Sequence, residues 1–187
     1  MITRLETTRY RCFDRLAVDV GDFRVLVGAN GSGKTTLLDL PGLLGDLLDA
    51  KNLADAFMAR RHGRPDLPPR AGSLQELVYA GRGSDFSFAV EARLPDAIQS
   101  ATLEGLYARL KSERSRQALQ ADQRRWPTHI RYEMGLRLTN DRELQATYEY
   151  LFVFPERYAP NRQQAGYQGV QASTNKHWRV ILKREFG

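Results

Sequence analysis

Residues 28–35 read Gly-Ala-Asn-Gly-Ser-Gly-Lys-Thr, the spacing G-x-x-x-x-G-K-[ST] of a phosphate-cradling loop. The residue types have a physical reason. Glycines let the backbone of Gly28, Asn30, Gly31, Ser32 and Gly33 curl so that successive N–H groups point at one anion. A helix that starts where the loop ends aims its positive N-terminus at the same charge. Lys34 can then reach the β- and γ-phosphates of a nucleotide, Thr35 offers a hydroxyl to Mg²⁺, and Thr36 stands where an α-phosphate would lie. At average composition a chance match in a chain of this length has odds of about one in a hundred. The alternatives are a glycine turn that binds nothing and a degenerate nucleotide fold that has lost binding.

The flanks suit the motif. Phe23–Val27 is an apolar run ending at Gly28, which predicts a strand buried on both faces. From Lys34 the leucines Leu37, Leu38, Leu40, Leu43, Leu44, Leu47 and Leu48 follow a helical pattern. Pro41-Gly42 interrupts it and predicts a kink or break, with a second helical piece from Asp46 to Arg61. Ile2–Tyr10 and Leu16–Val20 read as short strands before the loop. Residues 62–72 hold three prolines and two glycines and read as loop. Ser73–Tyr79 suggests a helical turn. Phe86–Leu94, Ile130–Leu138 and Leu144–Phe154 alternate as strands of an antiparallel sheet. Between them Asp96–Arg125 reads as a polar helix ended by Trp126-Pro127. Residues 155–177 read as a long loop, and Trp178–Leu182 as a further strand. The chain stops five residues later, where a hairpin turn is expected, so the ending reads as an interruption.

Composition narrows the class. At ~150 residues per domain, 187 residues give about one domain. Lys and Arg number 28 against 22 acids, a net +6 that comes from 23 arginines and suits phosphate-bearing partners or a plain soluble domain alike. No apolar stretch reaches the ~18 residues of a membrane helix. The single Cys12 forms no internal disulfide, and with His62, His129 and His177 scattered it builds no zinc site. A cytoplasmic protein with no membrane partner is expected.

Ile2-Thr3-Arg4-Leu5, Tyr10-Arg11-Cys12-Phe13 and Val25–Asp39 together resemble the amino-terminal lobe of the ABC-class ATPases, nearest their SMC/RecF/OLD-like branch. Ser73–Gly81 and the strand after it add a weaker likeness. The resemblance implies an α/β fold: a strand–P-loop–helix unit over 1–61, and an antiparallel β subdomain over 73–187 carrying the helix 96–125. It implies ATP and Mg²⁺ as ligands, with Lys34 catalytic, Thr35 on the metal, and Arg11 approaching phosphate or ribose. It also implies DNA as a partner. Such enzymes hydrolyse ATP between two heads, using a Walker B acid pair and a Ser-Gly-Gly signature loop. Neither follows Lys34 here. The nearest Walker B imitation ends at Glu156, with Pro155 where the metal-holding Asp would be. No glutamine precedes Gln75 to serve as the family's Q-loop residue. Turnover is therefore expected only with a complementing carboxy-terminal lobe or second copy, and an exposed sheet edge is expected without one. A nucleotide-gated or degenerate regulatory module is the alternative. A stand-alone P-loop kinase would need an acid at the end of a parallel strand and an arginine-bearing lid.

Other features read more plainly. The six basic residues of 109–125 fall on two sides of a helix, which suits solvation better than a DNA-facing stripe. Arg60, Arg61, Arg64 and Arg70 surround the proline-rich loop. Asn175-Lys176-His177-Trp178 is similar to the guanine-reading Asn-Lys-x-Asp, but Trp178 replaces the Asp. Tyr148, Tyr150, Phe152 and Phe154 read as one face of a sheet.

Overall fold

In the computed structural model, residues 1–59, 66–140, 142–160 and 177–186 are described. Six strands form one sheet: β1 (Ile2–Tyr10), β2 (Phe13–Asp19), β3 (Asp85–Arg93), β4 (His129–Thr139), β5 (Glu143–Phe154) and β6 (Arg179–Glu185). Their order is β2-β1-β3-β4-β5-β6. Every neighbouring pair is antiparallel. Among the described residues four α-helices accompany the sheet: α1 (Lys34–Asp49), α2 (Asp55–Met58), α3 (Asp96–Arg109) and α4 (Glu113–Ala121).

This sheet overturns the α/β expectation of a strand–P-loop–helix unit joined to a separate antiparallel part. Phe23–Val27 is not a strand. Phe23, Val25 and Val27 are 82, 68 and 90% exposed, so the run is buried on neither face. A parallel unit needs the chain to return from the helix into a strand beside the first. Here the strand after α1 is β3, which enters antiparallel beside β1 instead. An apolar run favours a strand, but without a neighbour to complete its hydrogen bonds it makes none.

Alternation sets the two faces of the sheet. Phe86 and Phe88 of β3 and Met134, Leu136 and Leu138 of β4 lie buried under α1 with Leu37, Leu40, Leu43, Leu44 and Leu47. Pro41 lies inside α1, which runs unbroken to Asp49. The leucine face on both sides of the proline packs into the core, and that packing holds the helix through the lost hydrogen bond. The predicted second piece is reduced to the single turn α2, and Arg60–Pro65 lies outside the described residues. The predicted helix 96–125 is instead α3, α4 and a 3-10 turn at Gln123–Arg125; no residue of α3 or α4 is buried.

The opposite face is charged at its centre. The register sets Arg4 beside Glu91, Glu91 beside Arg131, and Glu6 and Glu133 on either side of Ala89. Arg131, whose side chain is 2% exposed, donates to Glu91 at 2.8 Å, to Glu6 at 2.7 Å and to Glu133. Nearer β6, Phe152 stacks on Trp178 and lies with Phe154 in a second cluster.

A buried arginine ties α1 to the chain that follows it. Arg70 donates to Asp39 at 2.7 Å, to Asp46 at 2.5 Å and to the Ala56 carbonyl at 2.7 Å. The Arg70 side chain is 2% exposed and both carboxylates are 17% exposed. Arg70→Met strips those carboxylates of the guanidinium and is expected to cost about 3 kcal/mol in urea unfolding. A loss below about 1 kcal/mol would show that the tie contributes little. Burial pushes the Glu6 carboxyl up, but hydrogen bonds and charge from Arg131 and Arg4 outweigh it and hold it below the ordinary value. The stabilisation is complete above the unfolded-chain value of about 4.3 and is lost as pH falls through the lower folded value. Stability of the wild type should therefore fall on acidification below about pH 4, and less steeply in Glu6→Gln.

Candidate functional site

The phosphate-loop motif stands at the N-terminus of α1. Gly31 and Gly33 have φ of +80° and +90°, the left-handed region open to glycine at little cost. Gly33 also packs closely against the β1–β2 turn. A Cβ there would stand 2.5 Å from Phe13 Cζ and 2.6 Å from Cys12 Sγ, at the turn between β1 and β2. Lys34 lies across its own loop, donating to the carbonyls of Gly28 at 2.7 Å and Ala29 at 2.8 Å, and to Ser32 Oγ at 3.4 Å. The ammonium is thus held across the loop by three of the loop's own oxygens.

The β1–β2 turn also holds the facing segment. Tyr10 is 1% exposed and pairs with Val78 through an isolated bridge. Burial is the main reason its hydroxyl is pushed up to about 12. The Arg11 amide donates to Leu77 O, and the Ala80 amide donates to Arg11 O, each at 2.9 Å. Arg11 and Ala80 both have positive φ, 54° and 51°. Two exchanged hydrogen bonds thus hold residues 73–81 opposite α1. The Arg11 guanidinium donates to the Arg70 carbonyl at 2.8 Å.

Between these segments lies a cavity of about 830 Å³. Asn30, Gly31, Gly33, Lys34, Thr35 and Thr36 line one side, Arg11 and Cys12 the edge, and Ser73, Gln75, Glu76, Val78, Ala80 and Gly81 the other side. Gly28 and Ser32 do not line it and instead hold Lys34. Six of the predicted loop residues, Asn30, Gly31, Gly33, Lys34, Thr35 and Thr36, therefore meet Arg11 at one cavity. Glu156 does not: it sits in a 3-10 turn after β5, at the other end of the strands, with its amide on Thr128 Oγ1. Asn175 and Lys176 lie outside the described residues.

Two polar residues of the segment 73–81 line the cavity without having been assigned a site role from the sequence. The Gln75 amide nitrogen donates to Gly81 O at 2.8 Å, and its oxygen is buried with no hydrogen-bond donor. Glu76 accepts from the Gly72 amide at 3.2 Å and from Ser73 Oγ at 3.4 Å. The pattern Ser73-x-x-Glu76 is a capping-box signature and was legible as one. Its position facing Lys34 depends on the Tyr10–Val78 bridge, which spans most of the first half of the chain.

A scan against protein-family models and a search of curated proteins each return no match. Among the described residues, no helix is long and apolar enough to cross a membrane, and no group of three or more His, Cys, Asp or Glu could hold a metal ion. The second result is compatible with Mg²⁺, which keeps several waters and uses one or two protein groups beside substrate phosphates.

The two left-handed glycines separate conformation from contact. Gly31→Ala meets open space and should cost about 1 kcal/mol in unfolding, the strain alone. Gly33→Ala meets Phe13 and Cys12 as well and should cost about 3 kcal/mol. Phe13→Ala in the Gly33→Ala background should recover part of that loss. Equal costs at both glycines would refute the close packing.

Proposed function

We propose that this chain binds MgATP through Gly28–Thr36 and serves as the ATP-binding part of a composite ATPase of the SMC/RecF/OLD-like kind. The observation that carries the reading is Lys34, held across a left-handed glycine loop at a helix N-terminus that opens on a cavity of ligand size. To reach a phosphate, Lys34 would exchange its hydrogen bonds to the Gly28 and Ala29 carbonyls for bonds to phosphate oxygens. Thr35 offers the hydroxyl and Arg11 a second cation at the same cavity. Mg²⁺ bound with the nucleotide would neutralise charge on the β- and γ-phosphate oxygens. The protein's own part is to position the phosphates with backbone N–H groups, Lys34 and Thr36.

Hydrolysis is assigned to a complex with a complementing lobe, a partner or a second copy. The exposed run Phe23–Val27 leads directly into the loop and is the natural place for that element to add. DNA as a partner belongs to the same reading and rests on the resemblance, whereas a cytoplasmic location is carried over from the composition. A nucleotide-gated regulatory module shares the binding step and differs only in turnover.

Calorimetric titration of MgATP, with phosphate release followed in the same samples, tests the reading. The wild type should bind and Lys34→Ala should weaken binding about 10-fold or more, the loss of a charged hydrogen-bonding partner. Phosphate release should stay at background without a partner. Equal binding by both proteins, or none by the folded wild type, would overturn it.

A further inference from the structure

The cavity presents one charge that a phosphate site alone does not explain. Lys34, Arg11 and the helix N-terminus all favour an anion, yet Glu76 lines the same space. A carboxylate beside a triphosphate repels it unless a cation stands between them. Glu76 accepts from the Gly72 amide at 3.2 Å and from the Ser73 hydroxyl at 3.4 Å within its own turn, and it lines the cavity with Lys34 and Thr35. Gln75, next to it, carries a buried side-chain oxygen that accepts no hydrogen bond.

We propose that Glu76 is the protein carboxylate of a magnesium subsite in this cavity, paired with the Thr35 hydroxyl, and that it makes the site selective for ATP as its magnesium complex. The inference rests on the MgATP reading above. It gives the segment 73–81 a role that no motif assigns: it screens out metal-free nucleotide. Hard oxygen donors in a cavity shared with phosphates suit Mg²⁺, which prefers carboxylate, hydroxyl, phosphate and water oxygens.

Glu76→Gln isolates the charge. Glutamine keeps a side-chain oxygen that can accept from the Gly72 amide, so the turn at Leu74–Leu77 retains that local hydrogen bond. ATP affinity is measured by calorimetry for wild type and Glu76→Gln, once with Mg²⁺ and once with EDTA. In the variant, metal-free ATP should bind several-fold more tightly, because the repulsion is gone. The Mg²⁺ enhancement should shrink by about 10-fold, the scale of losing a group that supports a bound metal. Glu76→Asp keeps the charge one methylene further back and should fall between the two. A Mg²⁺ enhancement identical in all three proteins would overturn the proposal while leaving MgATP binding intact. Failure of the wild type to bind ATP in either buffer would overturn both.

Discussion

The close approach of Cys12 and Phe13 to Gly33 fixes where the N-terminus of α1 stands against the sheet. Glycine is required there twice, by its left-handed backbone and by the lack of room for a Cβ. The same turn carries Tyr10 into the core and exchanges hydrogen bonds with Leu77 and Ala80. One hairpin end therefore sets both sides of the cavity. The glycine loop is placed by its contacts with the β1–β2 turn, although among the described residues the segment before it pairs with no strand. Backbone strain at Arg11 and Ala80 is concentrated at this joint, where surrounding packing over-determines it.

The rest of the sheet acts as a stiff support. Tyr10, Phe57, Phe86 and Phe88 meet edge-on or tilted beneath α1. Arg131 spans three strands on the other face, linking Glu6 of β1, Glu91 of β3 and Glu133 of its own strand. Buried ion pairs add little net stability over apolar packing, but they resist slippage of register, because a shifted strand would leave charges unpaired. Arg70 does the equivalent job for the helix and, through its carbonyl, also receives the Arg11 guanidinium. Arg70 thus connects α1 to the cavity edge by hydrogen bonds.

Local patterns were read well where one face is buried and the other is not. Phe86, Phe88 and Val90 alternate and form β3, and Met134, Leu136 and Leu138 do the same in β4. The glycine loop and its helix were legible because the motif fixes residue types at fixed offsets. Phe23–Val27 was misread because hydrophobicity reports a preference for burial and says nothing of whether a neighbour exists to supply it. Pro41 was misread because its cost is outweighed by leucines on both sides, which is tertiary information. Gln75 and Glu76 belong to a local turn signature, and only a long-range bridge brings them to Lys34.

An amide proton–nitrogen NMR titration of the intact chain with MgATP tests most directly whether the β1–β2 turn, the glycine loop and residues 73–81 form one site. Shifts should concentrate at Gly31–Thr36, at Arg11 and Cys12, and across Ser73–Gly81, with the strand ends near His129 and Phe154 unmoved. Shifts confined to the glycine loop, or centred at the far end of the sheet, would contradict the account.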